Sequence, residues 1–191
     1  MTVFITGPLR SGKSEFAKRL ASARGGPVVF VATARVDPAD PEFVARVERH
    51  KRDRPGAWTT VETGGAGRER LLEVILRTPA GTTVVVDSLG SWLAGFLIGC
   101  EADADRDPAG TLGALETAAR PLVELLAGTR TDVIVVSEET GWSLVPTTPL
   151  GRIFSDALGR LNRAVAASAG AAYVVIAGYA LDLKTGRPVS S

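Results

Sequence analysis

Thr6-Gly7-Pro8-Leu9-Arg10-Ser11-Gly12-Lys13-Ser14 (TGPLRSGKS) stands directly behind the apolar run Val3-Phe4-Ile5 and opens a segment with helical patterning, Lys13–Arg24. From Gly7 to Ser14 it satisfies G-x-x-x-x-G-K-[ST] at every fixed position, and a strand before it with a helix after it is the context this motif requires. Its residues suit a polyphosphate. Glycines let backbone N–H groups turn inward, and the helix N-terminus adds positive potential. Lys13 can reach β and γ phosphates, and Ser14 can ligate Mg²⁺. The plainer alternative is a glycine turn that only joins a strand to a helix; the complete pattern in its context argues against it.

Outward from the loop, nearly continuous apolar, β-branched runs recur at Pro27–Thr33, Thr82–Asp87, Thr131–Ser137 and Ala171–Ala177. Strands buried on both faces of a parallel sheet read this way. Between them, Pro41–Arg52, Arg68–Leu76, Ser88–Ile98, Leu112–Ala127 and Leu150–Ser168 suit helices. Strand–helix alternation predicts an α/β fold with helices on both faces of the sheet. With the phosphate loop after the first strand, the expected class is a P-loop NTPase (RecA-like): a mostly parallel β-sheet in three α/β/α layers. A length of 191 residues suits one domain, and no linker or repeat divides it. Cys100–Gly110, acidic and poor in apolar residues, reads as a mobile surface loop, and the glycine cluster at 64–67 as another.

A phosphate loop calls for a carboxylate at the end of another strand. Asp87 occupies that place and reads either as a Mg²⁺ ligand or as the N-cap of the helix after it, roles that are compatible. Composition excludes other classes. The formal charge of +1 provides no field for nucleic acid, and no basic groove signature appears. One cysteine rules out an internal disulfide and a Cys-based zinc site. The longest apolar stretch near the middle, Leu89–Cys100, is too short and glycine-broken to span a bilayer. The apolar start runs straight into the loop rather than forming a signal peptide, so a cytoplasmic location is expected.

The segment Pro41–Trp58 gathers Arg46, Arg49, His50, Lys51, Arg52 and Arg54 against only Glu42, Glu48 and Asp53. Arg46 and His50, four apart, share a helical face. One reading is a solvated helix end whose cations favour the dipole. The other begins from clustered cations that bind polyphosphate and hold the only histidine neutral. A neutral imidazole beside a phosphate is a nucleophile that can form a phosphoramidate. The segment follows the carboxyl end of the second strand, the edge at which α/β proteins bind ligands.

Several motifs in order give the chain a resemblance to a known family. They are TGPLRSGKSEFA, VATARVDPADPEFVARVERHKRDRPGAWTTVET, VVVDSLGSWLAGFL and VVSEETGWSLVPTTPLGRIFSDALGRLNRAVAASAGAAYVVIAGYALDLK. The chain resembles, nearly end to end, the bifunctional adenosylcobinamide kinase / adenosylcobinamide-phosphate guanylyltransferase of cobalamin biosynthesis. The resemblance implies two reactions. ATP or GTP phosphorylates adenosylcobinamide. GTP then guanylylates a histidine, which passes GMP to adenosylcobinamide phosphate. His50 falls on the family's guanylylated histidine. Nucleotide contacts are implied at Gly7–Ser14, at Ala32, Thr33 and Ala34, at Lys51, Arg52, Asp53 and Arg54, and at Glu62, expected in a loop, and Asp87. Mg²⁺ at Ser14 and Asp87 and a homotrimer are implied too, although no heptad marks the latter.

The chain also departs from the family pattern. Pro8 stands at a usual glycine, Asp87–Gly90 reads DSLG for D-C-L-T, and Glu138–Gly141 reads EETG for N-E-V-G. In the C-terminal motif, Arg152, Phe154, Asp156, Arg160 and Asn162 suit either a corrinoid or subunit surface, or the exposed side of a helix packed through Ile153, Leu158, Leu161 and Val165. Trp58, Trp92 and Trp142 read as core or interface. Two further functional classes remain open: a monofunctional P-loop kinase of a small alcohol, and a non-enzymatic nucleotide-dependent regulatory protein.

Overall fold

The computed structural model describes the chain except residues 53, 65–67, 143, 190 and 191; at 43, 46, 49, 50 and 68 it describes the helix but not the side chains. The elements in chain order are β1 (Thr2–Thr6), α1 (Lys13–Ala23), β2 (Val28–Ala32), α2 (Pro41–Arg52), β3 (Thr59–Glu62), α3 (Arg68–Arg77), β4 (Thr83–Asp87), α4 (Leu89–Ala94), α5 (Glu101–Arg106), α6 (Pro108–Gly128), β5 (Asp132–Val136), α7 (Pro149–Ser168), β6 (Ala171–Ile176), β7 (Tyr179–Asp182) and β8 (Pro188–Val189).

The strands form one sheet in the order β3-β2-β4-β5-β1-β6-β7-β8. From β3 to β6 every pairing is parallel; β7 and β8 add an antiparallel edge. Strand alternation sorts the core into two layers. Phe4, Val31, Val84, Val86, Val133 and Val135 pack with α3, α4, α6 and α7. Val3, Ile5, Phe30, Val85, Ile134 and Val136 pack with Phe16, Ala17 and Ala21 of α1. The mostly parallel three-layer α/β/α arrangement is the one expected, with all four further apolar runs as strands.

Three expectations are corrected. Residues 100–110 are not a loop: α5 and the start of α6 occupy them. Composition misled because Ala104 is fully buried among acidic neighbours, Glu101 and Asp103 favour a helix start, and Arg106 suits a helix end. Asp107 then caps α6, its Oδ1 accepting from Gly110 N at 2.9 Å, with Pro108 in the first turn. Second, Glu62 is not in a loop. It closes β3, paired in register with Ala32. Third, the helix expected over Ser88–Ile98 ends at Ala94, and turns follow.

α7 packs as expected through Ile153, Leu158, Leu161 and Val165, all buried. Leu158 is fully buried under the sheet. Leu158→Ala removes apolar area and leaves a cavity, so we expect a loss of about 2–5 kcal/mol. Urea unfolding reads it as a lower midpoint at unchanged slope.

Candidate active site

β1 lies between β5 and β6, and β5 separates it from β4. The carboxyl ends of β1, β5 and β4 therefore stand side by side. They carry the phosphate loop, the Glu138-Glu139 pair and Asp87 respectively.

The loop's backbone explains its glycines. Gly12 has φ +98° and Gly7 φ +153°. A Cβ on Gly7 would run into the Val175 carbonyl. Glu139 N donates to Gly7 O (3.1 Å) and Gly178 N to Ser11 O (2.8 Å), so the strands on both sides fasten the loop. Pro8 loses a donor but uses its carbonyl, which accepts from Lys13 Nζ (2.8 Å) and Ser11 N (3.3 Å). Lys13 is buried; Leu9, Arg10 and Gly12 are exposed, and Ser14 is half-buried in the first turn of α1. The buried Ser11 hydroxyl has no hydrogen-bond partner among the described residues. Burial pulls the Lys13 ammonium below its usual value, while Glu138, Asp87 and Glu139 oppose that in decreasing order. One buried cation thus faces three carboxylates. A triphosphate entering this edge needs a further positive charge. Ser14 and Asp87 supply the hydroxyl and carboxylate that Mg²⁺ takes beside nucleotide phosphates, so these residues fit the metal. Among the described residues no group of three or more His, Cys, Asp or Glu could hold a metal alone.

Asp87 is set by the turn that follows it. Thr33, 2% exposed, donates from Oγ1 to Ser88 O (2.6 Å) and accepts from Ser88 N (2.8 Å). Thr33 N donates to Asp87 O (3.1 Å). Thr33 is therefore a brace between β2 and β4, while Ala32 and Ala34 are half-buried backbone beside it. Ser88 provides the N-cap of α4, its Oγ accepting from Ser91 N (3.3 Å), so the cap role falls to Ser88 rather than Asp87. Thr33→Val keeps the shape but leaves the buried Ser88 N–H unpaired, while Ser88 O still accepts from Trp92 N (3.1 Å). We expect a loss of about 2 kcal/mol, checked by denaturant unfolding.

The basic segment is placed in part. His50, Arg46 and Arg49 lie on α2, with their side chains outside the described residues, as is Asp53 entirely. Lys51 Nζ pairs with Glu62 (2.8 Å) and Glu48 (3.1 Å), and those hydrogen bonds raise its ammonium. Arg52 is exposed. The Arg54 guanidinium lies 4.0 Å over the Phe30 ring, and burial lowers it against the pull of Asp87 and Glu62. Phe30 in turn stacks on Trp58. Trp92 is core, whereas Trp142 is exposed, which removes the core reading for it.

Asn162 was expected at a corrinoid or subunit surface or on the exposed side of α7. It is buried instead. It accepts from Ser137 Oγ (2.6 Å) and donates to Glu138 O (2.9 Å) and Glu139 Oε1 (3.4 Å). Glu139 Oε1 also accepts from Thr6 Oγ1 (2.7 Å). These links hold the β5 edge against β1, and only the position of Asn162 beside Leu158, Leu161 and Val165 hinted at them. Arg160 pairs with Glu116. Arg152 donates to Pro146 O and Thr147 O.

A model of the family described as cobinamide kinase / cobinamide phosphate guanyltransferase matches residues 3–183. The chain is 35% identical over 191 residues to the bifunctional adenosylcobalamin biosynthesis protein CobP of Pseudomonas aeruginosa, covering 99% of this chain and 100% of that one. It is 30% identical over 190 residues to the bifunctional adenosylcobalamin biosynthesis protein CobU of Escherichia coli K12, covering 96% and 100%. A solved KaiC-like protein of Pyrococcus horikoshii superposes with TM-score 0.49 at 18% identity, over 100% of this chain and 81% of that one, a likeness too distant to argue from.

Proposed function

The chain belongs to the cobinamide kinase / cobinamide phosphate guanyltransferase family, and we propose that it performs both reactions that name implies. In the first, the terminal phosphate of ATP or GTP passes to the hydroxyl of adenosylcobinamide. In the second, GMP passes from GTP to adenosylcobinamide phosphate through a guanylyl-histidine at His50, giving adenosylcobinamide-GDP. The observation that supports this reading is the meeting of the phosphate loop, buried Lys13 and Asp87 at one sheet edge of a chain that the family matches almost throughout.

For phosphoryl transfer, the loop N–H groups and Lys13 hold the β and γ phosphates and meet the charge that grows on them. The substrate oxygen bonds to the γ-phosphorus as the bond to the bridging oxygen breaks. Ser14 and Asp87 would hold Mg²⁺, which offsets the triphosphate charge when bound. For guanylyl transfer, an imidazole nitrogen of His50 bonds to the α-phosphorus and pyrophosphate leaves. A phosphate oxygen of the second substrate then displaces the histidine. Ala32, Thr33, Ala34, Lys51, Arg52, Asp53, Arg54 and Glu62 complete the nucleotide surface in this reading. Residues 1–191 act as one catalytic unit, in the cytoplasm and as a homotrimer, which sedimentation equilibrium checks at three chain masses. No helix among the described residues is long and apolar enough to cross a membrane.

The test is product analysis by mass spectrometry. Purified protein with Mg²⁺, ATP and adenosylcobinamide should yield the phosphate, and added GTP should convert it to adenosylcobinamide-GDP. The phosphate as sole product reduces the activity to a kinase. Neither product from a folded, nucleotide-binding protein overturns the reading.

A further inference from the structure

Gly90 and Glu138 lie 48 residues apart in sequence and meet beside Asp87. Gly90 N donates to Glu138 Oε2 at 3.1 Å. Gly90 is buried at the start of α4, and a Cβ there would fall well inside contact distance of the same oxygen. The carboxylate therefore takes the space that any side chain at position 90 would need. Both positions are also among those where the chain reads differently from its family's motifs.

The turn after Asp87 is consequently gripped from two sides. From β2, Thr33 exchanges two hydrogen bonds with Ser88. From β5, Glu138 holds Gly90. Glu138 is itself anchored, since its carbonyl accepts from buried Asn162. Its carboxyl is pushed up chiefly by burial and also by Asp87, while the Ser88 hydroxyl, Lys13 and Gly90 N–H favour the charged form. A desolvated carboxylate with so few donors binds those donors firmly.

We propose that Glu138 is a positioning residue for phosphoryl transfer, matched to Gly90, whose carboxylate clamps the Ser88–Gly90 turn and so fixes Asp87 opposite Lys13. The role in phosphoryl transfer rests on the function proposed above; the clamp does not. Glu138 makes no bond to the substrate in this scheme. It acts through the backbone that carries Asp87, and glycine at position 90 matters because a side chain there would push the flexible end of Glu138 out of this contact.

Two measurements on wild type, E138A, E138Q, G90A and the double variant E138A/G90A test it. Amide hydrogen exchange followed by mass spectrometry reads the clamp without substrate. Exchange over residues 88–91 should quicken about tenfold in E138A and in G90A, where the new methyl displaces the flexible end of Glu138. E138Q, whose amide oxygen still accepts from Gly90 N, should stay within about threefold of wild type. Kinase assays read the consequence. E138A and G90A should each lower kcat about tenfold with the KM for ATP nearly unchanged, and E138Q should recover most of it. The double variant should be no worse than either single, because both remove the same contact.

Unchanged exchange at 88–91 in E138A, or losses that multiply in the double variant, would overturn the clamp. Faster exchange with wild-type kcat would overturn its role in phosphoryl transfer. A wild-type protein that makes no phosphorylated corrinoid while E138A still loosens the turn would instead count against the proposed function and leave the clamp standing.

Discussion

His50→Ala is expected to abolish protein-bound GMP while leaving phosphoryl transfer from ATP within about threefold of wild type. The two reactions attack different phosphorus atoms. In the proposed scheme only attack at the α-phosphate passes through a nitrogen–phosphorus bond to the protein, and a histidine nucleophile can only be His50 because the chain has one histidine. In the same scheme phosphoryl transfer draws on the loop, Lys13 and Asp87, none of which lies on α2. Incubation with GTP labelled at the α-phosphate, denaturation and gel analysis should give label on wild type that acid removes and alkali spares. Label persisting on the alanine variant would move the nucleophile off His50. Loss of both activities from a folded variant would contradict separate roles.

Lys13→Ala should lower both activities about 10²–10³-fold. Lys13 is buried, whereas Arg10, the loop's other cation, is exposed, so in the proposed scheme the Lys13 ammonium is the buried charge that the loop brings to the phosphates. Three carboxylates surround it and favour its charged form. Removing it leaves those negative charges facing the triphosphate with no buried cation from the loop to offset them. Nucleotide binding should weaken along with turnover, as titration with a fluorescent GTP analogue would show. Lys13→Arg should rescue little, because a planar fork does not fit where a compact ammonium reaches Pro8 O at 2.8 Å. Activity near wild type in Lys13→Ala would remove the loop from the chemistry.

The two variants also show what the sequence made legible. The loop and the central strands were readable because each is complete within a short window: a fixed-spacing motif, or an apolar run buried on both faces. β3 was not, since Thr59-Thr60-Val61-Glu62 is an edge strand with only Val61 partly covered. β7 and β8 were missed for the same reason, being short strands at the other edge. The acidic run at 101–106 hid a helix because one buried alanine holds it to the core, and one alanine gives no periodicity. At the site, residue types pointed to Lys13, Ser14 and Asp87, but not to the contacts that place them. Thr33, expected to touch nucleotide, also braces Ser88, a role its residue type did not reveal. The pairing of Gly90 with Glu138 could not be read from either residue, because it depends on β4 and β5 lying side by side.

β1, which carries the phosphate loop, lies between β5 and β6, with Phe4 opposite Val135 on one side and Ala172 on the other. The turn after β6 closes the arrangement, with Gly178 packed against Gly12 and bonded to Ser11 O. During translation the loop therefore leaves the ribosome well before the strands that finish it. Its strand has no partner until more than a hundred further residues have been added, and its glycines have no wall until Gly178 emerges. A nascent chain stalled before β6 carries the whole G-x-x-x-x-G-K-S sequence without the shape that grips a phosphate. Competence to bind nucleotide should arrive late and all at once, which makes nucleotide binding a sensitive report of synthesis through Gly178.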